Sequence, residues 1–171
     1  MNRPEAIIDF AVYRNSKELI GIAKASLPAI TFLTQTVQGA GVGGSVVAVL
    51  CGMVDAMELR LDFLSSLDGA RQLASPKKHQ IDLRVAEQYW DTNKAAKNLI
   101  ADKYVMNIVP KSTAPGEVAP ASTANTSGTY SVLYYAAYRG NKLLWEIDPF
   151  NGRCYIDGTD YGAALFKALG K

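Results

Sequence analysis

The residues of this chain that can do chemistry lack the partners that chemistry needs. Gly39, Gly41 and Gly44 match G-x-G-x-x-G, the spacing that cradles a pyrophosphate when a helix follows directly. Here Ser45-Val46-Val47-Ala48-Val49-Leu50 follows. That is strand chemistry, so the glycines read as a flexible loop. His79 is the only histidine, which leaves the commonest zinc geometries short of ligands. It stands beside Lys77 and Lys78 at a loop-strand junction and reads as a solvated residue. Glu58, Asp62 and Asp82 offer carboxylates for general acid-base work. Arg60 and Arg84 interleave with them, the pattern of a solvated sheet face with mixed charge. Asp148, Asn151, Asp157 and Asp160 do not follow calcium-loop spacing and read as turn formers. Tyr130, Tyr134, Tyr135 and Tyr138 can stack on bases. Without an accompanying basic pattern, they read as core packing or subunit contact. No catalytic, cofactor-binding or metal-ligating residue is assigned, and no cofactor is expected.

The elements that position these residues are mostly strands. Residues 6–13 and 19–27 read as a strand pair joined by the hairpin loop Arg14-Asn15-Ser16-Lys17, and Pro28 ends it. Residues 30–37 favour extended structure, and the Gly-rich loop leads to the apolar run 45–50. In residues 55–64 Met57, Leu59, Leu61 and Phe63 alternate with Glu58, Arg60 and Asp62. That is a strand with one buried and one wet face. Residues 80–89 repeat the pattern, with Ile81, Leu83 and Val85 against Asp82, Arg84 and Gln88. Between them, 66–74 reads as a short helix with Leu67 and Ala70 in its stripe, Ser65 or Ser66 as N-cap, and Pro76 beyond its end. Residues 99–109 form a strand, 110–128 a long exposed loop, and 129–138 a Tyr-rich strand. Gly140-Asn141 turns it into 143–147, and Asn151-Gly152 leads to 154–156. Residues 160–169 close the chain as a helix with Tyr161, Leu165, Ala168 and Leu169 on one side.

Bulk properties narrow the class. The 171 residues suit a single domain, 1–171. Hydrophobic residues make up 49%, enough for a sizeable core. A net charge of +2 lacks the basic excess with which proteins grip phosphates. Cys51 and Cys154 have no metal-ligand spacing and read as buried free thiols. No apolar run reaches the roughly 20 residues a membrane span needs, and residues 1–8 lack a signal-peptide pattern. A soluble protein made in the cytoplasm is expected.

The segment Tyr134-Tyr135-Ala136-Ala137-Tyr138-Arg139-Gly140-Asn141-Lys142-Leu143-Leu144-Trp145-Glu146-Ile147-Asp148-Pro149-Phe150-Asn151-Gly152, followed by Ile156-Asp157-Gly158-Thr159-Asp160, resembles the major tail tube proteins of contractile phages and phage-tail-like bacteriocins. Leu27-Pro28 after the second strand, the Gly-rich loop, Met57-Glu58 in an alternating strand and the short helix keep the same order along nearly the whole chain. The resemblance implies a mainly β fold: a two-sheet β-barrel or sandwich with one short helix on its outer side and a short C-terminal helix. It implies subunits that assemble into stacked hexameric rings around a lumen conducting DNA or other cargo. The implied partners are further copies of the chain, a sheath protein, and tape-measure and baseplate or terminator proteins. Double-stranded DNA would pass without specific binding. The implied location is a virion tail, assembled in the bacterial cytoplasm.

On that reading Glu58, Arg60, Asp62, Asp82, Arg84 and Gln88 face the lumen, because they share the polar parity of the two clearest strands. Gln38, Gly39, Gly41, Gly43 and Gly44 in one loop, and Pro115, Gly116 and Pro120 in another, act in ring or subunit contacts. A single-stranded nucleic-acid-binding barrel is the alternative, distinguished by salt-sensitive binding. A small hydrolase on the scattered carboxylates would need a cleft that raises a carboxyl pKa.

Overall fold

The computed structural model describes residues 2–64 and 67–171, without the side chains of Ala23 and Leu67. The elements run β1 (Asn2–Arg14), β2 (Glu18–Ile20), β3 (Ile22–Ser26), β4 (Phe32–Val37), β5 (Val46–Val54), β6 (Met57–Phe63), α1 (Leu67–Leu73), β7 (His79–Asp91), β8 (Ala96–Ala114), β9 (Ser127–Arg139), β10 (Lys142–Asp148), β11 (Arg153–Ile156), β12 (Thr159–Asp160) and α2 (Ala163–Ala168). Ten strands form one antiparallel sheet in the order β12-β11-β10-β9-β8-β7-β1-β2, with β6 on β9 and β3 on β6. Strands β4 and β5 form a separate two-stranded sheet.

β9 is the branch point. Its first half pairs with β6 (Met57↔Val132 to Asp62↔Ser127), and its second half pairs with β10 (Ile147↔Tyr135 to Lys142↔Arg139). β8 lies along its other edge. At the far end β2 pairs with β1, and the chain steps through Gly21 into β3, which pairs with β6. This change of partner folds the sheet over on itself. The result is mainly β and sandwich-like rather than a closed barrel, with two short helices, as the resemblance implied. It also splits the single strand expected over 19–27 into β2 and β3.

The core fills the fold between these layers. Val12, Ile20 and Ile22 meet Met57, Leu59, Leu61 and Phe63 of β6, Ile81 and Leu83 of β7, Met106 and Ile108 of β8, and Tyr130, Val132 and Tyr135 of β9. The alternation read in β6 is reproduced residue for residue, with the apolar positions buried and Glu58 and Arg60 exposed. α1 adds Ala70 and Leu73 to the core, and Gly69 sits against Ile20 and Phe63. The N-cap expected at Ser65 or Ser66 lies outside the described residues. Tyr104, Tyr135 and Trp145 form a ring cluster with centroids 5.7–6.3 Å apart. Where the apolar row ends beyond Val85, the same side of the sheet carries Glu87, Asp102 and Arg139. Arg139 donates to both Asp102 oxygens (2.8 and 2.7 Å) and to Glu87 (2.6 Å). These charge-assisted bonds, Asp102 first, push the guanidinium pKa further up.

Four expectations are corrected. His79 is buried, because it shares the parity of Ile81 and Leu83; its Nε2 lies 3.0 Å from the Ser75 carbonyl. Cys51 is exposed, because β5 lies outside the main sheet, whereas Cys154 is buried. Burial, then the nearby Asp160, raises the Cys154 thiol pKa. The loop expected over 110–128 is shorter. The β8-β9 ladder runs on to Ala114↔Ser127, so only 115–126 lies outside strands. Pro110 is tolerated there because it sits at a register shift, beyond the last β7-β8 pair, His79↔Ile108. Finally, the apolar side of 160–169 is not packed inward. Tyr161, Leu165 and Leu169 are exposed, and Phe166 makes the contact with Gly152 instead.

Two outcomes follow from this packing. A Cβ at Gly128 would lie 2.3 Å from the Tyr130 hydroxyl, so Gly128→Ala overpacks the β6-β9 junction. It should cost about 1–3 kcal/mol, read as a lower urea midpoint at unchanged slope; an unchanged midpoint contradicts the packing. Burial pushes the Tyr130 pKa up to about 12, against about 10 in the unfolded chain. Between those values the unfolded chain releases a proton that the folded one keeps, so stability falls as pH rises through this window. Ionisation of the buried tyrosine, followed by tyrosinate absorbance, should therefore coincide with alkaline unfolding rather than precede it.

Candidate functional site

Two surfaces stand out, and both follow from strand parity. Residues directly opposite each other in a ladder project to the same side of the sheet. Glu58, Arg60 and Asp62 oppose Ser131, Thr129 and Ser127 of β9. Those oppose Val109, Ser112 and Ala114 of β8. Further along, a shift at Leu133 keeps Tyr134 opposite Asn107 on this same side. From β8, Val105, Lys103 and Leu99 oppose Asp82, Arg84 and Gln88 of β7. All six residues expected to share a function therefore lie on the same side of the sheet, the one turned away from the core.

The charges on that face are matched locally. Lys111 Nζ is 2.7 Å from Glu58 Oε2, and Arg60 Nε is 3.3 Å from Asp62 Oδ1. Arg84 lies over the Tyr13 ring, 4.6 Å from its centroid. Gln88 donates to Glu5. Asp82 differs from its neighbours: although on the polar parity, it is fully buried. The Ser16 hydroxyl donates to it at 2.6 Å and Lys103 Nζ lies 3.5 Å away. It thus ties the β1-β2 turn, where Asn15 and Ser16 take positive φ, to the sheet. On β9 and β10 the Tyr134 hydroxyl donates to Glu146 at 3.0 Å, and Arg153 Nε lies 2.8 Å from the same carboxylate. Burial first, then this bond to Glu146, raises the Tyr134 pKa. The three carboxylates and two guanidinium groups among the six residues leave one net negative charge.

The second surface is the β4-β5 hairpin. Its tip holds Gln38, Gly39, Gly41, Gly43 and Gly44, all exposed, with Val42 N donating to Gly39 O at 3.1 Å. The glycines lead into a strand, as their context required. Val37, Val46, Val47, Val49 and Met53 are all exposed too. Val46 and Val47 are neighbours on a strand and point to opposite sides, so the distal part of the hairpin is uncovered on both faces, whereas Phe32 and Val54 at its base pack against the core. A lone two-stranded hairpin is marginal in water, and exposed apolar clusters of this kind mark contact surfaces. The exposed Val46, Val47 and Val49 lie beyond the glycine loop to which the sequence analysis assigns the contact. The signal was there: the run 46–50 has no polar alternation, which is how a strand covered on both sides reads.

The other loop is anchored at its base. Thr126 Oγ1 donates to Pro115 O at 2.9 Å, and Glu117 N donates to Ala124 O at 2.9 Å. Gly116 has φ +86°, and a Cβ there would lie 1.6 Å from Ala124 O, so only glycine fits. The tip beyond it, with Val118 and Pro120, is exposed.

The remaining candidates serve local structure. Asp148 accepts from Asn151 N and Nδ2 at 3.3 and 2.6 Å, and Asp160 accepts from Cys154 N and Gly162 N at 3.3 and 3.0 Å. Among the described residues, no group of three His, Cys, Asp or Glu side chains is arranged to hold a metal, and no helix is long and apolar enough to cross a membrane.

The architecture has solved counterparts. A chain of the extended-state sheath/tube terminator of an extracellular contractile injection system, PVC, superposes with a TM-score of 0.56 at 18% identity, over 79% of this chain and 96% of that one. A chain of the extended-state sheath-tube complex of PVC gives 0.55 at 18% identity, over 80% and 92%. At such identity the likeness is one of fold. No curated protein sequence matches. The family model of phage tail tube protein FII, however, matches residues 4–170. The resemblance read along nearly the whole chain thus has its counterpart in this match, and the chain belongs to the phage tail tube protein FII family.

Proposed function

We propose that the chain is the repeating subunit of the tube of a contractile tail. Copies join into six-membered rings, the rings stack around a lumen, and DNA or another cargo passes through it. A sheath encloses the tube, and tape-measure and baseplate or terminator proteins set its length and ends. The particle's tail is the site of action, after synthesis in the bacterial cytoplasm. The role is structural rather than catalytic.

The observation that carries this reading is the β4-β5 hairpin, whose valines are open to solvent on both sides in the single chain. Such a strand pair needs cover from outside, and a second copy of the chain provides it at every repeat. The edge of β1 between Asn2 and Ala11, which no strand among the described residues pairs opposite β7, supports the same reading, since β2 pairs only with Val12–Arg14 and an open strand edge invites pairing. The face carrying Glu58, Arg60, Asp62, Arg84 and Gln88 suits a watery channel: it is polar and carries almost no net charge to hold a polyanion. The six-fold ring itself comes from the resemblance to contractile tail tubes.

Two outcomes test these assignments. Removing residues 39–44, or separately 117–123, should leave a folded monomer with native circular dichroism that no longer forms tubes. Normal tube growth after both deletions contradicts the contact role. For the lumen, single cysteines at 58, 60, 62, 84 and 88 belong in a Cys51→Ser background, because Cys51 is itself exposed whereas Cys154 is buried. In assembled tubes a bulky maleimide should label them far more slowly than an outer-surface control; equal rates contradict the lumenal placement.

A further inference from the structure

The ladder between β8 and β9 slips between Pro110↔Tyr130 and Ser112↔Thr129, which leaves Lys111 as one extra residue on β8. A bulge of this kind re-aims the side chain it carries. Lys111 reaches a carboxylate two strands away, with Nζ 2.7 Å from Glu58 Oε2 on β6. Strands lie about 4.8 Å apart, so the two side chains together bridge roughly 10 Å over β9. They can do so because the β9 residues on this face are the short Thr129 and Ser131, opposite Arg60 and Glu58. Beside this pair, Arg60 and Asp62 form the second one. Both pairs are largely solvated, with side-chain exposures of 55% and 53% for Lys111 and Glu58, and 60% and 34% for Arg60 and Asp62. Exposed pairs contribute little to fold stability, so a stabilising role does not account for a bulge spent on aligning one.

We infer that Glu58 and Asp62 are built-in counter-ions that mask Lys111 and Arg60 from a polyphosphate, and so set what this face lets pass. The inference rests on the tube reading above. Nucleic acid gains affinity for a protein by exchanging its condensed counter-ions for lysine and arginine. A cation already held by its own carboxylate offers no such gain until the pair is broken. In a repeating assembly the effect multiplies: each carboxylate removed frees one cation per subunit, and the freed cations form rows along the wall that a polyanion spans many at a time. Glu58 and Asp62 are specificity-determining residues in this sense, favouring release of the polymer over retention.

The test uses assembled tubes and a fluorescent single-stranded DNA oligonucleotide, followed by co-sedimentation at low and high salt. Electron microscopy of each preparation verifies the tubes. Wild-type tubes should retain little oligonucleotide. The Glu58→Gln/Asp62→Asn variant should retain about tenfold more at low salt and lose it at high salt. Adding Lys111→Gln and Arg60→Gln should restore the wild-type level. A double variant that retains no more than wild type, or a quadruple variant that retains as much as the double, overturns the masking role. Nuclease treatment separates this from the tube reading. A protected oligonucleotide supports a lumenal face, whereas a digested one leaves the masking intact and overturns the lumenal placement. Should a variant not assemble, fluorescence anisotropy of the soluble subunit with the same oligonucleotide reads the masking directly, with the same order of the three proteins expected.

Discussion

A strand shows alternate side chains to opposite sides, so a slip of one residue along β9 would exchange its two populations. Tyr130 and Val132 would turn outward, and Thr129 and Ser131 would enter the core. Register along β9 is the constraint on which the molecule depends, because β6, β8 and β10 all take their alignment from it. The penalty for slippage is severe where one face is buried. The shift at Leu133 adjusts parity midway, which lets Tyr130 and Tyr135 both point into the core although they differ in parity. One strand thereby supplies the floor of the core and the middle of the outer polar face.

The two surfaces of functional interest arise from opposite treatments of strand alternation. On the main sheet the faces divide the labour, with Met57, Leu59 and Leu61 inside and Glu58, Arg60 and Asp62 outside. On the distal part of the β4-β5 hairpin there is no division, since Val46 and Val47 point to opposite sides and both are exposed. The first pattern gives a folded chain with a solvated polar side on which Lys111 pairs with Glu58 and Arg60 with Asp62. The second leaves the subunit incomplete in a defined place. In the proposed tube, burying those valines against another copy would supply a hydrophobic driving force for assembly of about 25 cal/mol per Å².

Much of this was legible in the residues. The strict alternation of 57–63 and of 81–85 needs only period-2 arithmetic, and the hairpins at Asn15-Ser16 and Gly140-Asn141 follow from turn chemistry. Parity alone puts Glu58 and Arg84 on the polar sides of their strands, and the β9 and β8 registers put both on the same side of the sheet. What escaped the reading depends on partners distant in sequence. The burial of Asp82 requires Ser16 and Lys103 to close over it, and nothing local to Asp82 announces them. Pro110 points to a loop by local rules, which cannot know that β7 begins only at His79, opposite Ile108, and leaves the stretch of β8 beyond it unpaired on that edge. The exposure of Cys51 and of the β5 valines is the most instructive miss. An apolar run implies cover, and the sequence does not say whether the cover belongs to the same chain.

One measurement shows where the cover comes from. Cryo-electron microscopy of the purified chain over a concentration series, seeded with its baseplate where it does not nucleate unaided, shows both the assembly and the orientation of each subunit. Stacked rings around an open channel are expected, with the β4-β5 hairpin buried between copies and the side chains of Glu58, Arg60 and Arg84 lining the channel. Tubes in which those side chains point outward, or seeded samples that stay as isolated subunits with the hairpin exposed, would contradict this expectation.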